Sequence, residues 1–330
     1  MAEPIISVRN LSIRYRTRDA MTYAVDDVSF DLERGKVLAV VGESGCGKST
    51  VAMSILRLLP QEADVLSGQI VFDGTDLMAL DERALRQLRG RRIAMIFQDA
   101  VAGLNPVIDI GTQVAEMLTS HLPISKKEAK ARAIDVLYDV GLAEPERIAK
   151  SYPFQLSGGM CQRVMIGIAT ALNPDVIVAD EPTSALDVTI QAQILYQIDQ
   201  LRREKGTAIL LITHDFGVVA QMADDVAVMY AGRVVESGGV RDMLKSPLHP
   251  YTHALLGTLP RVDGAHEHLR QIPGHPPEMT ARAERCSFIP RCGKVMNVCR
   301  NNDPPGLIHP EGATHRVACY NPVWQGGSAK

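Results

Sequence analysis

Short unbroken apolar runs recur along the chain, and each is bounded by polar or glycine-containing residues. Examples are residues 37–41, 176–179 and 208–212. Runs of this length are typical of strands that are buried on both faces of a sheet. Segments of helical periodicity separate these runs, and the alternation predicts an α/β fold.

The N-terminal region follows a different pattern, because apolar and polar side chains alternate between residues 5 and 32. Alternation with a period of two predicts strands with one exposed face, so we expect an antiparallel β subdomain beside the α/β core. Tyr15 lies in this region and is either a platform for an adenine ring or an ordinary strand aromatic. Tyr23 is a weaker candidate for the same role.

The middle and the end of the chain change character. Residues 109–121 and 125–140 show helical periodicity without a strand pattern nearby, which predicts a helical insertion. From residue 238 onward proline and histidine become frequent and the periodicity is lost. The predicted domains are a core with its antiparallel β subdomain at 1–98 and 173–237, a helical subdomain at 99–172, and a C-terminal extension at 238–330.

Composition narrows the class of protein. The 330 residues are 46% hydrophobic and 22% charged, with a formal net charge of -3, which indicates a globular chain without a general nucleic-acid surface. The N-terminus lacks the basic and apolar regions of a signal peptide, and the apolar runs are far shorter than the ~20 residues of a membrane helix. We therefore expect a cytoplasmic protein whose membrane role would come through partners.

One glycine-rich stretch directly follows the apolar run 37–41 and has the pattern G-x-x-x-x-G-K-[ST]. Its residues are Gly42, Glu43, Ser44, Gly45, Cys46, Gly47, Lys48, Ser49 and Thr50. Glycines let successive backbone N–H groups converge on a phosphate, and the helix that follows adds its positive N-terminal dipole. Lys48 is predicted to reach the β- and γ-phosphates and Ser49 to ligate Mg2+, so the stretch predicts nucleoside triphosphate binding.

Polar side chains close three further apolar runs: Gln98, then Asp180 with Glu181, then His214. The carboxyl ends of parallel strands meet at one edge of a sheet, where α/β proteins bind their ligands. Asp180 is predicted to anchor Mg2+ and Glu181 to polarise water. Without the phosphate loop, a strand followed by a polar turn would be the simpler interpretation. His214 is placed to bond a γ-phosphate, although a lone histidine is usually structural.

Two helix starts complete the pattern. Ser157, Gly158 and Gly159 precede a helix predicted from Met160 to about residue 172. Taken alone, they are an ordinary N-cap with a flexible lead-in. Asp187 precedes a long amphipathic helix that is predicted to run to Lys205, with Gly206 as its cap.

Taken together in this order, the motifs resemble those of the ATP-binding subunits of ABC transporters, over about residues 5–240. The phosphate loop is similar to Walker A, Gln98 to the Q-loop, residues 156–160 to the signature, Asp180 and Glu181 to the end of Walker B, Ser184 to Asp187 to the D-loop, and His214 to the H-loop. The resemblance implies a P-loop NTPase (RecA-like) core that hydrolyses ATP with Mg2+. It also implies that Gln98 and Asp180 join Ser49 at the metal, and that each ATP lies between one subunit's Walker A and the signature of the other.

A narrower resemblance involves residues 183–195 and 249–256, which are similar to the dipeptide, oligopeptide and nickel importer ATPases. It implies two permease subunits, a paralogous second ATP-binding subunit, an extracytoplasmic solute-binding protein, and a place at the cytoplasmic face of the inner membrane, without nucleic acid. Peptides are the expected cargo; nickel, opines or oligosaccharides stay open because the ATPase does not touch its cargo. A soluble ABC ATPase acting on nucleic acid or ribosomes is the alternative from another class, although such proteins typically carry two cassettes or a long coiled coil.

Four of the six cysteines fall in the last 45 residues with the spacing C-x5-C-x6-C-x19-C: Cys286, Cys292, Cys299 and Cys319. In a reducing compartment such a cluster favours metal over disulfides. Four thiolates can hold zinc or an iron-sulfur cluster, although structural zinc sites typically use paired C-x2-C units. The resemblance implies a 4Fe-4S cluster, with zinc as the alternative and idle thiols last. Nothing in the sequence places these cysteines near the phosphates, so we expect a structural or redox-sensing role.

Two positions depart from the importer pattern. Cys161 stands where these ATPases usually have a basic residue after the signature, which either alters the ATP interface or is silent. Residues 99–106 read Asp-Ala-Val-Ala-Gly-Leu-Asn-Pro, where the usual sequence is Asp-Pro-Met-Thr-Ser-Leu-Asn-Pro. That segment lies on the expected permease side, so its departure bears on the choice of partner.

Overall fold

A computed structural model describes residues 3–16, 20–183, 187–258 and 271–323. The chain divides into two compact units. The first unit comprises residues 1–5, 32–37 and 72–212, and the second comprises residues 6–31, 38–71 and 213–330. No helix within the described ranges is long and apolar enough to cross a membrane.

The described strands are β1 (Pro4–Arg16), β2 (Met21–Glu33), β3 (Val37–Val41), β4 (Ala63–Phe72), β5 (Thr75–Asp76), β6 (Ile93–Ile96), β7 (Val176–Asp180), β8 (Ala208–Ile212), β9 (Asp225–Tyr230), β10 (Arg233–Gly239) and β11 (Arg316–Val317). The described helices are α1 (Lys48–Ile55), α2 (Glu82–Leu88), α3 (Ala100–Gly103), α4 (Ile110–His121), α5 (Lys126–Asp139), α6 (Pro145–Ala149), α7 (Gly158–Thr170), α8 (Val188–Lys205), α9 (Phe216–Met222), α10 (Val240–Lys245), α11 (Pro250–Leu256) and α12 (Asn297–Asn301). Short 3-10 helices span Pro153–Gln155 and Ile289–Arg291.

The first unit contains a parallel sheet in which β7 pairs with β6 on one side and β8 on the other. Every side chain of β7 and β8 is buried. Unbroken apolar runs fit these positions because neither face of the strand meets water. The α/β fold predicted from the runs is confirmed, and the strand ends bring polar residues to one edge.

The helical part of the first unit agrees with the periodicity of its sequence. Helices α4 and α5 begin one residue after their N-caps, where Asp109 accepts from the Thr112 N–H and Ser125 accepts from the Glu128 N–H. Such side-chain oxygens satisfy donors that the first turn leaves unpaired. The structure describes residues 99–172 completely and assigns no strand there.

In the second unit, β3 pairs in parallel with β9, and β9 and β10 form an antiparallel hairpin. The hairpin turns at Ala231 and Gly232, which both have positive φ. In the antiparallel β subdomain β1 lies between β2 and β4. β1 and β2 are each 13 residues long, so the alternating N-terminal pattern marks two continuous strands rather than several short ones.

Within this unit, the buried carboxylate of Glu236 binds segments from the C-terminal part of the chain. Glu236 on β10 accepts hydrogen bonds from the Leu248 N–H (2.6 Å), the His249 N–H (3.0 Å) and His315 Nε2 (2.7 Å). Burial lowers the pKa of His249 to about 4, so its neutral ring can accept the Tyr251 N–H at Nδ1. β11 adds to the sheet next to β10, while the domain boundary at residue 238 stays a prediction.

Candidate active site

The glycine-rich loop leaves β3 and leads directly into α1, as the sequence predicts. Two glycines have no substitute here. Gly47 has φ 103°, and a Cβ on it would lie 2.1 Å from the Ala24 carbonyl oxygen. Gly42 has φ 156°, and a Cβ on it would lie 2.2 Å from the Met229 carbonyl oxygen. The loop can therefore curl only because both positions lack side chains.

Lys48 folds back over this loop. Its Nζ donates to the carbonyl oxygens of Gly42 (2.7 Å) and Glu43 (2.9 Å), and the residue is 6% exposed. Cys46 lies beside it and is buried, which raises the pKa of its thiol. Lys48 Nζ also donates to Cys46 Sγ at 3.7 Å. A buried ammonium that donates to carbonyl oxygens can exchange them for an anionic phosphate, which is a stronger partner.

Tyr15 lies on β1 next to this helix. Its hydroxyl group is 3.2 Å from Oγ1 of Thr50, and one of the two donates to the other. The contact brings the predicted adenine platform to the phosphate-loop helix. Its role as a platform stays a prediction.

The first unit brings the predicted hydrolytic residues to the ends of β6 and β7. Asp180 is the last residue of β7 and is 4% exposed. Glu181 follows it with φ 45°, and its N–H donates to the Ile212 carbonyl (2.9 Å). Gln98 Nε2 donates to Glu181 Oε2 at 3.2 Å. A non-glycine residue in the left-handed region costs energy, and such residues concentrate at functional sites.

The other predicted positions lie at helix starts and strand ends. His214 follows β8 and is exposed, two residues before α9 begins. Asp187 is the N-cap of α8, where its carboxylate accepts from the Ile190 N–H at 3.0 Å. The D-loop residues 184–186 lie outside the described residues.

The Ser-Gly-Gly segment starts α7. Ser157 is its N-cap and accepts from the Met160 N–H at 3.3 Å. Ser157 and Gly158 are exposed, and Gly159 is half-buried. An exposed helix N-terminus with no Cβ atoms at its first two positions is suited to an anion. Cys161 points inward instead: its side chain is fully buried and its thiol lies 3.6 Å from the Pro153 carbonyl.

Comparison with known proteins places these motifs in a family. The ABC transporter family model matches residues 25–184, and the model for the oligopeptide/dipeptide transporter C-terminal region matches residues 235–299. A probable peptide ABC transporter ATP-binding protein of Sinorhizobium fredii is 45% identical over 97% of this chain and 95% of its own length. The chain belongs to the ATP-binding proteins of ABC transporters. The dipeptide transport ATP-binding protein DppD of Bacillus subtilis is also 45% identical, over 96% of this chain and 95% of its own.

A solved structure supports the same assignment. The dimeric ATP-binding cassette MJ0796 bound to ADP and Pi matches with a TM-score of 0.65 and 29% identity, over 72% of this chain and 99% of that one. The predicted family and the P-loop NTPase fold are confirmed. As an ABC ATPase the chain hydrolyses ATP with Mg2+ and couples the reaction to transport.

In the C-terminal region of this ABC ATPase, the four late cysteines line one cavity. None is in a disulfide. Burial raises the pKa of their thiols where a shift is resolved, and that of Cys319 reaches about 12. In the described ranges, no group of three or more His, Cys, Asp or Glu residues is arranged to hold a metal ion.

The same region contacts the phosphate loop, which the sequence analysis missed. Arg291 donates from Nη1 to Glu43 Oε2 (2.6 Å) and from Nη2 to Glu43 Oε1 (2.9 Å). The Tyr251 hydroxyl accepts the Glu43 N–H at 2.9 Å. The partners are 248 and 208 positions apart, and no local pattern signals contacts of that range.

Proposed function

We propose that this ABC ATPase powers the uptake of dipeptides or oligopeptides. The observation that carries the proposal is the 45% identity along nearly the whole chain to ATP-binding proteins named for peptide and dipeptide transport. The matching oligopeptide/dipeptide C-terminal region supports it, because this region lies outside the general ABC transporter match.

The predicted residues have separate roles in hydrolysis. Lys48 holds the β- and γ-phosphates, while Ser49, Asp180 and Gln98 serve Mg2+. Glu181 is the base that orients and deprotonates the attacking water. The Gln98 hydrogen bond supports this role, since it restrains the carboxylate that must face the water. His214 binds the γ-phosphate, and Asp187 belongs to the D-loop at the nucleotide site.

The working unit is a dimer of two ATP-binding subunits, the second a paralogue. The exposed N-terminus of α7, with Ser157, Gly158 and Gly159, is suited to the γ-phosphate of an ATP that the other subunit holds. The dimeric arrangement of the similar cassette MJ0796 supports this proposal. ATP then closes the interface, and hydrolysis lets it open.

Replacing Glu181 tests the assignment of the base. Glu181→Gln should retain ATP binding while turnover falls about 10²- to 10⁴-fold, because the amide cannot take a proton. The matched control is Glu204→Gln, which changes the same group at an exposed position on α8. Near-normal turnover by Glu181→Gln would contradict the role of Glu181.

The subunit works with two permeases and a solute-binding protein, at the cytoplasmic face of the inner membrane. Exposed apolar side chains on the helical part of the first unit support a docking role: Val107 is 78% exposed, Phe154 73% and Tyr138 71%. Purification of the chain from its own membranes should recover two permeases and a second ATPase, with turnover raised by the loaded binding protein. Recovery with nucleic acid or ribosomes and without a membrane partner would overturn the transport role.

The late cysteines hold a 4Fe-4S cluster, with zinc as the alternative. The donor set fits, because Cys286, Cys292, Cys299 and Cys319 line one cavity and thiolates are the usual cluster ligands. Protein purified without oxygen should contain iron and sulfide with brown absorbance. Stoichiometric zinc without iron would refute the cluster.

A further inference from the structure

The ion pair between Arg291 and Glu43 is built into the second unit rather than laid on its surface. The Arg291 side chain is 4% exposed and that of Glu43 is 24% exposed. Both Nη groups bind the carboxylate in the fork geometry that makes arginine pairs strong. The hydrogen bonds that Arg291 donates to the Glu43 carboxylate raise the pKa of Arg291, so the guanidinium is charged at every relevant pH.

Glu43 is the second residue of the phosphate loop, and three of its groups are held. Its N–H is bound by Tyr251, its carbonyl by Lys48 and its carboxylate by Arg291. A carboxylate on a loop that must bind a polyphosphate is unfavourable unless its charge is compensated, since like charges close together repel. Arg291 is the cation that compensates it in this unit.

Arg291 is in turn placed by the cysteine segment. It ends the 3-10 helix 289–291, where the Ile289 N–H donates to the Cys286 carbonyl and the Cys292 N–H donates to the Ile289 carbonyl. Its Nε also donates to the Pro273 carbonyl at 2.9 Å. Both ends of the turn that carries the guanidinium are therefore cysteines of the cavity.

Buried rings fill the space around the guanidinium. Tyr230 and Tyr251 lie 4.6 Å apart between ring centroids, and Phe288 packs against both at 5.2 and 5.5 Å. The Tyr230 hydroxyl accepts from Arg291 Nη1 at 3.4 Å. Tyr230 therefore contacts the guanidinium in addition to Glu43, and the other two rings pack against Tyr230.

We propose that Arg291 is a positioning residue for ATP: it neutralises and anchors Glu43, and thereby makes the phosphate loop receptive to a triphosphate. The inference rests on the proposed role of Lys48 and its loop in ATP binding. It adds that the C-terminal region acts on the nucleotide site of its own subunit, through the segment that carries the cysteines.

The test measures dissociation constants of ATP, ADP and AMP for the full-length chain, by displacement of a fluorescent ATP analogue. Arg291→Gln should weaken ATP binding about tenfold, ADP less and AMP least, because repulsion by the unpaired carboxylate grows with phosphate charge. Arg291→Lys should recover most of the affinity, since it keeps the positive charge. The double variant Glu43→Gln with Arg291→Gln should bind ATP more tightly than Arg291→Gln alone, because no uncompensated charge remains.

The matched control is Arg285→Gln, which removes an exposed arginine next to Cys286 and should leave all three constants unchanged. If the double variant binds ATP as weakly as Arg291→Gln, or if Arg291→Gln loses the same affinity for ATP and for AMP, then Arg291 has only a structural role. Either result would overturn the inference. So would unaltered ATP binding by Arg291→Gln. Lys48→Ala tests the proposed function of the phosphate loop separately from the role of Arg291. If this variant binds ATP like the parent chain, the loop does not hold ATP as proposed, and the inference about Arg291 loses its basis.

Discussion

The buried carboxylate of Glu236 offers a quantitative test of how the C-terminal region is attached. Replacement by alanine would leave the N–H groups of Leu248 and His249 and the Nε2 of His315 without their shared acceptor. Glu236 is 0% exposed and His315 is 3% exposed, so water cannot easily take its place. The perturbation therefore acts on three buried donors at once.

The magnitude follows from the cost of losing such bonds. Each hydrogen bond to a charged group contributes about 1.5–3 kcal/mol, and removing one member of a buried charged network costs about 3–5 kcal/mol. We take about 4 kcal/mol for Glu236→Ala, at the middle of that range. Glu236→Gln keeps the volume and one good acceptor oxygen, and should cost about 1–2 kcal/mol. The matched control Glu278→Ala makes the same change at an exposed position and should cost under ~0.5 kcal/mol.

Hydrogen exchange measures this loss where it occurs. About 4 kcal/mol corresponds to roughly a thousandfold faster exchange of the Leu248 and His249 amides, since each factor of ten is about 1.4 kcal/mol. Amides of β7 should keep their protection if the attachment opens locally. Protection at 248 and 249 within tenfold of the parent chain would refute the reasoning, and would mean that other contacts attach the region.

Three further outcomes are expected. Gly47→Ala should abolish ATP binding and lower the free energy of unfolding by at least about 3 kcal/mol, because its Cβ would overlap the Ala24 carbonyl. ATP titration would measure the binding and denaturation followed by circular dichroism the stability, and retained ATP binding would contradict the prediction. His249 has a folded pKa of about 4 and an unfolded pKa near 6.5, so protonation of His249 opposes folding. The free energy of unfolding should therefore fall by up to about 3 kcal/mol as the pH falls from 6.5 towards 4. His249→Asn keeps a capping side chain and should reduce this pH dependence in thermal melts. Tyr251→Phe removes the acceptor for the Glu43 N–H and should cost about 1 kcal/mol; an unchanged denaturation midpoint would show that water replaces the hydroxyl.

The phosphate loop and the strand ends could be predicted because their chemistry is local. A glycine is needed wherever φ is positive or a carbonyl approaches, as at Gly47, and this need is visible in the pattern itself. Apolar runs predicted β7 and β8 because a strand without water on either face has no polar positions. Gln98 and Glu181 followed, since parallel strands end at one edge.

Contacts between segments that are far apart in the chain could not be predicted from the local pattern of apolar and polar residues. β11 pairs with β10, and nothing in the proline-rich sequence after residue 238 predicts this two-residue strand. Cys161 follows the signature glycines, and its side chain is fully buried on α7. Its direction depends on what packs against α7, which periodicity alone did not decide.

The family, the ATP-binding motifs and the elements that present them could be predicted from the sequence, because each depends on a few neighbouring residues with fixed backbone and chemical requirements. The ion pair between Arg291 and Glu43 and the three donors on Glu236 are visible only in the folded chain, because they join distant segments. Such contacts form because a buried charged group is costly unless it is paired and hydrogen-bonded. The strength of the pairing is set by distance in space, so it leaves no pattern in the sequence.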